Sequence, residues 1–409
     1  MTDVSDTQLA HLRAFADGAL PAFLTDLERL VNIDCGTYSK AGVDEIGRWF
    51  QDQATELGAV LATEPNESLG DTIVATLDGR AGGGHCLVIG HLDTVFPDGT
   101  AAERPFAIAD GHATGPGVND MKAGLLCGIY GLRALRALAT AEAGRAVTAA
   151  EWLPFERLTF VANPDEEIGS PASTPVIRDA AEAADVCFVL ESARANGDIV
   201  SARKGIADYI VQIDGRAAHA GVEPEKGRSA ILEAAHKTLE LTALNGRWPG
   251  VTVNIGVVSG GTRPNVIAEH CELEIDLRAA ARTDMELAEN AITEICMRST
   301  VPDVVTTVNR RHRWWPMEKG PQTARLAADA IALAERLGFE LHDAATGGAS
   351  DANTTSGMGV PTLDGLGPVG GLDHAPGEYT EVDSIAPRVV LLAALLLSAA
   401  SAQPDAASA

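Results

Sequence analysis

The feature that most constrains this chain is an α/β grammar that breaks off and later resumes. Apolar runs TIVATL, CLVIGHLDTV, LTFVANP and DVCFVLES alternate with helical periodicity in MKAGLLCGIYGLRALRAL and PASTPVIRDAAEAA. Strand, helix, strand in repetition predicts a mostly parallel sheet with helices on both faces. From about Lys204 the order becomes strand (GIADYIVQIDG), helix (SAILEAAHKTLELTAL), two strands (VTVNIGVVSGG, HCELEIDLRA), helix (DMELAENAITEICMRS) and strand (DVVTTVNRRHRWW). That βαββαβ order is ferredoxin-like. After about Pro316 a helix, TARLAADAIALAERLG, and Gly-rich loops return to the first grammar. The expected division is 1–203 and 317–409 as two segments of one domain, with 204–316 inserted as a second.

At 409 residues the chain exceeds what one core usually supports, in keeping with two domains. Hydrophobic residues make up 46% and charged ones 22%, an ordinary globular balance that argues against global disorder. The 57 acidic and 31 basic side chains give a formal charge of -26, which repels phosphate backbones and anionic membranes, so neither nucleic acid nor a membrane is expected as a partner. The start MTDVSDTQLAHLRAF has acids where a signal peptide needs basic residues, so a cytoplasmic location is expected. The apolar stretch Val389 to Ala402 is shorter than the ~20 residues of a membrane helix and reads as a buried C-terminal helix. Six scattered cysteines without CxxC spacing read as buried free thiols. The segment QLAHLRAFADGALPAFLTDLERLVNI is apolar at helical spacing and predicts one or two helices on the sheet; the Ala-rich tail SAASAQPDAASA is expected to fray.

In parallel sheets function gathers at the carboxyl ends of the strands, and five motifs place candidate ligands there. His91 and Asp93 in GHLDTVFP are two residues apart, a spacing that lets a carboxylate hold an imidazole tautomer with one nitrogen free for a metal. Such a pair is also common as a plain surface contact. Asp120 in GPGVNDMKAGLL opens a helix, where a carboxylate has two oxygens free to bridge cations or simply caps the helix. Asp165, Glu166 and Glu167 in NPDEEIGS stand at a strand end, and three adjacent like charges require a cation or solvent exposure. Of two adjacent glutamates, one can bind metal while the other handles protons. Glu191 ends DVCFVLES, and His374 lies in the Gly-rich loop GGLDHAPGEY. Jointly these His and carboxylate groups suit zinc.

Together, GHLDTVFP, GPGVNDMKAG, NPDEEIGS, the late His374 and the inserted βαββαβ module resemble the M20 metallopeptidases, in their glutamate carboxypeptidase branch, from about Ile33 to Leu397. The resemblance implies a zinc-exopeptidase type of α/β fold with the inserted module as lid and dimerisation domain. It implies two Zn2+ ions, with Co2+ or Mn2+ as substitutes: Asp120 bridging, His91 and Glu191 on one ion, Glu167 and His374 on the other. Asp93 would orient His91, and Glu166 would be the general base. His219 in GRAAHAG resembles the lid histidine that reaches across a homodimer interface to the oxyanion. Asn265 and Arg278 correspond to positions that hold a substrate carboxylate, and Gly347 and Gly348 in TGGASDAN, with Ser350 and Asp351 nearby, match a loop that approaches the substrate terminus.

The expected function is release of a C-terminal amino acid, favouring glutamate, from peptides or N-acyl conjugates. Arg311 and Arg313 in RRHRWW are candidates for reading a second carboxylate, or partners for the chain's own acids. The Trp314 and Trp315 pair is a candidate pocket wall for an apolar acyl group. Ala123, where the family usually has Gly, and Ala218, where a Ser often precedes the lid histidine, depart from the pattern without removing a ligand. The rivals are an N-acyl-amino-acid amidohydrolase with the same ligands and a non-catalytic scaffold that keeps only the fold.

Overall fold

The computed structural model describes residues 4–400, so residues 401–409 of the Ala-rich tail lie outside it. The chain divides into two compact units, the first comprising Met1–Ser201, Lys319–Ala345 and Ser350–Ala409, the second Ala202–Glu318 and Thr346–Ala349.

The first unit is built on a six-stranded mixed sheet in the order Val60–Glu64, Thr72–Asp78, Arg157–Asn163, His85–His91, Val186–Val189, Thr362–Leu363. Its centre is parallel: His85–His91 pairs in parallel with Arg157–Asn163 and with Val186–Val189, which pairs in parallel with Thr362–Leu363. Thr72–Asp78 runs antiparallel to both its neighbours. Leu87, Val88 and Ile89 are all buried, the continuous apolar run of a strand covered on both faces. Register places His91 opposite Asn163 and Ile89 opposite Val189, so the carboxyl ends of three parallel strands open at one end of the sheet.

Helices Asp6–Val31, Ala123–Ala143 and Val382–Ala399 pack on one another, and Lys40–Leu57 packs on Thr72–Asp78. The N-terminal segment is one helix that runs through Pro21 and starts at a capping box between Ser5 and Gln8. Helix Val382–Ala399 is long and apolar enough to cross a membrane by length and composition, and 67% of it is buried inside the protein. A small sheet in the order Gly370–Gly371, Tyr379–Glu381, His112–Thr114, Ala107–Ala109 ties the loop carrying His374 to the segment that precedes Asp120. All six cysteines are free and buried.

The second unit has the expected βαββαβ order. Its antiparallel sheet runs Thr252–Gly260, His270–Ala279, Gly205–Asp214, Val305–Trp314. Buried and less buried residues alternate along Gly205–Asp214 and His270–Ala279, as in a sheet with one face packed on helices, here Ala230–Thr242 and Arg282–Met297.

Candidate metal centre

Asp120 lies between two imidazoles. Its Oδ1 is 3.0 Å from His91 Nε2 and its Oδ2 is 3.0 Å from His374 Nε2. Each imidazole has a further carboxylate: Glu191 Oε1 is 3.8 Å from His91 Nε2, and Glu167 Oε2 is 3.0 Å from His374 Nε2. Ligand atoms of His91, Asp120 and Glu167 lie within 4.8 Å of one another, as do those of His91, Glu166 and Glu191. These side chains come from the ends of three parallel strands, the turn before helix Ala123–Ala143 and one late loop.

Asp120 makes no side-chain cap bond; the helix leaves its carboxylate to the two histidines. The acidic turn is largely shielded from solvent: Asp165 is wholly buried, the Glu167 side chain is only 5% exposed and Glu166 is half-buried. His91 and Asp93 are buried too. His91 Nδ1 is 3.0 Å from the Asp93 main-chain carbonyl and 3.4 Å from its carboxylate, leaving Nε2 for the cluster. The Asp93 carboxylate in turn accepts from Thr37 Oγ1 at 2.6 Å and from the main-chain N–H of Glu166 and Glu167, which fixes the acidic turn beside His91.

The electrostatics are those of an acid-rich pocket. Burial disfavours charge on His91, yet hydrogen bonds to Asp120 and Asp93 and the charge of Glu191 hold it well above the ordinary histidine value. Hydrogen bonds to Asp120 and Glu167 push His374 up to about 11. Burial works against charge on Asp120, but His374 and His91 outweigh it and hold the carboxyl below its usual range. Burial, then the charge of Glu191, drives Glu166 well above the usual glutamate value; burial raises Glu167 as well, against the pull of His374. Glu167 Oε1 is buried without a hydrogen-bond partner. Four carboxylates around two imidazoles, with a buried acceptor left over, are a donor set that fits hard or borderline divalent cations, whose charge would replace the protons on the histidines.

The other expected residues lie in the second unit. His219 and Asn265 are exposed and adjacent: His219 bridges Val266, and the Ala220 N–H donates to the Asn265 carbonyl. His219 Nδ1 accepts from the Gly221 N–H at 3.1 Å. Arg278 pairs with Asp276 at 3.1 Å and donates to the Gly347 carbonyl at 2.8 Å, while Arg203 donates to the Gly348 carbonyl. Arg311 pairs with Glu274 and Arg313 with Glu289, so both serve the chain's own acids. Trp315 stacks against Arg282 and Arg313, and Trp314 is 7% exposed, so neither ring presents an open pocket wall.

Two residues beneath the cluster escaped the sequence reading of function. Glu378 accepts from the main-chain N–H groups of Gly117, Asn119 and Asp120. Asp351, which the sequence places merely near the Gly347–Gly348 loop, accepts from Ser170 Oγ at 2.6 Å and Asn163 Nδ2 at 2.5 Å, behind the acidic turn. The only local sign of Glu378 was a carboxylate four residues after His374.

Residues 201–304 match the peptidase dimerisation domain of M20 type. The chain is 29% identical to carboxypeptidase G2 of Pseudomonas sp. (strain RS-16) over 384 residues, 92% of this chain and 89% of that protein. It is 29% identical to acetylornithine deacetylase of Proteus mirabilis over 221 residues, 50% of this chain and 52% of that one. Among solved structures, aminopeptidase PepT of Bacillus cereus superposes with a TM-score of 0.73 at 25% identity, covering 93% of this chain and 99% of that one. The chain thus carries an inserted dimerisation domain of M20 peptidase type, and its likeness to peptidases and amidohydrolases runs over nearly its whole length.

Proposed function

We propose that the enzyme is a two-metal hydrolase that cleaves an amide bond to release a C-terminal amino acid, with glutamate favoured, from peptides or N-acyl conjugates. The observation that carries this reading is the Asp120 carboxylate, each of whose oxygens faces a different histidine at 3.0 Å. In the proposed arrangement Asp120 is shared, His91 and Glu191 hold one ion, and Glu167 and His374 hold the other. Two Zn2+ ions there would supply Lewis acidity and lower the pKa of a bound water.

The chain's own groups do the rest. Asp93 keeps His91 turned with Nε2 toward the cluster. Glu166, half-buried beside Glu191 and His91 but not needed as a ligand, takes the water proton and delivers it to the leaving amine. His219 is proposed to stabilise the oxyanion and Asn265 and Arg278 to hold the substrate carboxylate, with the Gly348 loop beside its terminus. Preference for glutamate follows from the resemblance to the glutamate carboxypeptidase branch. A second reading, an N-acyl-amino-acid amidohydrolase, is favoured by the likeness to an acetylornithine deacetylase and uses the same ligands.

The dimerisation domain favours a homodimer. Ile231, Leu232 and Leu239 on helix Ala230–Thr242, with Val257 and Val258 on the outermost strand Thr252–Gly260, are exposed apolar residues next to an open sheet edge, a surface a second copy would cover.

Metal analysis paired with a substrate panel of folate-type glutamyl conjugates, dipeptides and N-acetyl amino acids tests the proposal. Two ions per chain and release of glutamate are expected; turnover of N-acetyl amino acids alone would favour the amidohydrolase. Glu166→Gln should keep its metal while activity falls about 10²–10⁴-fold, and undiminished turnover would remove Glu166 as the base.

A further inference from the structure

Glu378 takes no part in the roles proposed above, yet three main-chain N–H groups converge on its buried carboxylate. Gly117 donates to Oε2 at 3.0 Å, and Asn119 and Asp120 donate to Oε1 at 2.8 and 3.0 Å. Gly117 is left-handed, with φ 68°, and the N–H groups of Gly117, Asn119 and Asp120 turn toward one anion in the manner of a backbone nest. Nests commonly receive a ligand; this one is filled by the protein's own side chain.

That side chain belongs to the loop that carries His374. Further cross-links join the same two segments: Asn119 Nδ2 donates to Asp373 Oδ1 at 2.7 Å, and Thr380 Oγ1 donates to the Val118 carbonyl and to Asn119 Oδ1, both at 3.1 Å. The segments approach so closely that a Cβ on Gly370 would run into Asn119 Oδ1. His374 itself adopts φ 63°, unusual for a non-glycine residue and held only where surroundings over-determine it. The segments that carry Asp120 and His374 are thus fastened to each other through Glu378, Asn119 and Thr380.

We infer that Glu378 is a positioning residue that sets the placement of Asp120 relative to His374, and through it the affinity of the cation sites. The inference rests on the two-metal reading. A glutamine at this position keeps one acceptor oxygen but turns an amide N–H toward backbone N–H groups, so the nest loses at least one bond without losing side-chain volume.

The experiment is titration of the metal-free protein with Zn2+ against a chromogenic chelator, for the parent and for Glu378→Gln, with the secondary structure of each checked by circular dichroism. The parent is expected to take up two ions. Glu378→Gln is expected to bind at least one of them roughly 10–100-fold more weakly, the usual effect of removing a partner that orients a ligand, and with saturating Zn2+ its kcat should fall while KM holds. If Glu378→Gln does not fold, Thr380→Val, which removes both Thr380 hydroxyl cross-links between the same segments, should weaken binding in the same direction. Parental affinity in a folded variant overturns the role of Glu378 and leaves the two-metal reading standing; fewer than two ions bound by the parent overturns both.

Discussion

Two charge clusters, one in each unit, are made of similar groups and end in opposite states. In the second unit Lys237 and Glu233, both essentially inaccessible, pair at 2.9 Å. The ammonium also donates to the carbonyls of Ile295 and Arg298 at the end of helix Arg282–Met297, and the carboxylate accepts from the N–H groups of Thr300 and Val301. One positive charge meets one negative charge, and the rest of their hydrogen-bonding capacity goes to backbone. The cluster of the first unit crowds Asp120, Glu166, Glu167 and Glu191 around two histidines and leaves Glu167 Oε1 unmatched. A buried cluster that closes on itself fixes a fold; one left with excess charge of one sign is poised to take an ion.

The largest effect expected separates them by composition. Asp120→Ala should lose bound metal and lower activity by more than roughly 100-fold, the penalty typical even of residues that only support a ligand, while the melting of the second unit stays where it was. Retention of two ions by this variant would break the contrast. Next in size, Lys237→Met strands the Glu233 carboxylate and should cost about 3–5 kcal/mol by urea denaturation, with metal content unchanged. A cost below about 1 kcal/mol would show that the pair is not the closed cluster described, since that is the range of an exposed ion pair.

The pH response should differ in sign. Burial pushes Asp351 up to about 7. In metal-free protein the folded state therefore keeps a proton that the unfolded chain releases near pH ~3.9, so this residue's share of stability falls as pH rises between those values. Asp351→Asn, which cannot titrate, should flatten that slope in denaturation series at pH 4 to 7; an unchanged slope would exclude Asp351 as its source. Burial also disfavours charge on Glu233, but the Val301 N–H and Lys237 outweigh it and hold the carboxyl below its usual range. Its contribution is therefore present above the ordinary glutamate value and is lost as pH falls below it. The smallest effect is expected from the exposed pair Arg282–Glu286, 3.2 Å apart one helical turn from each other, where Arg282→Ala should cost no more than about 0.5 kcal/mol beyond the loss of its stacking on Trp315.

Much of the architecture was legible because it is written in local periodicity. The βαββαβ order of the insert followed from residues alternating with period two along Gly205–Asp214 and His270–Ala279 and from helical spacing between the strands. The short strands Thr362–Leu363 and Gly370–Gly371 were not legible, since two residues carry no period, and helix Lys40–Leu57 and strand Val60–Glu64 went unread. The candidate ligands stood out one by one as strand-end or loop residues of the right chemical type. Arg311, Arg313 and the tryptophans were ambiguous because their meaning depends on partners in other strands and helices, Glu274, Glu289 and Arg282.

The sequence by itself determined which groups are available and at which strand ends and loops they stand, because backbone periodicity acts over a few residues. Only the tertiary structure decided that Asp120 faces two histidines, that Glu378 lies beneath it 258 positions away, and that Asp351 braces the acidic turn from 181 positions beyond Ser170. Those are matters of distance and burial, and a carboxylate has the same identity in sequence whether water, a lysine or an unmet charge surrounds it.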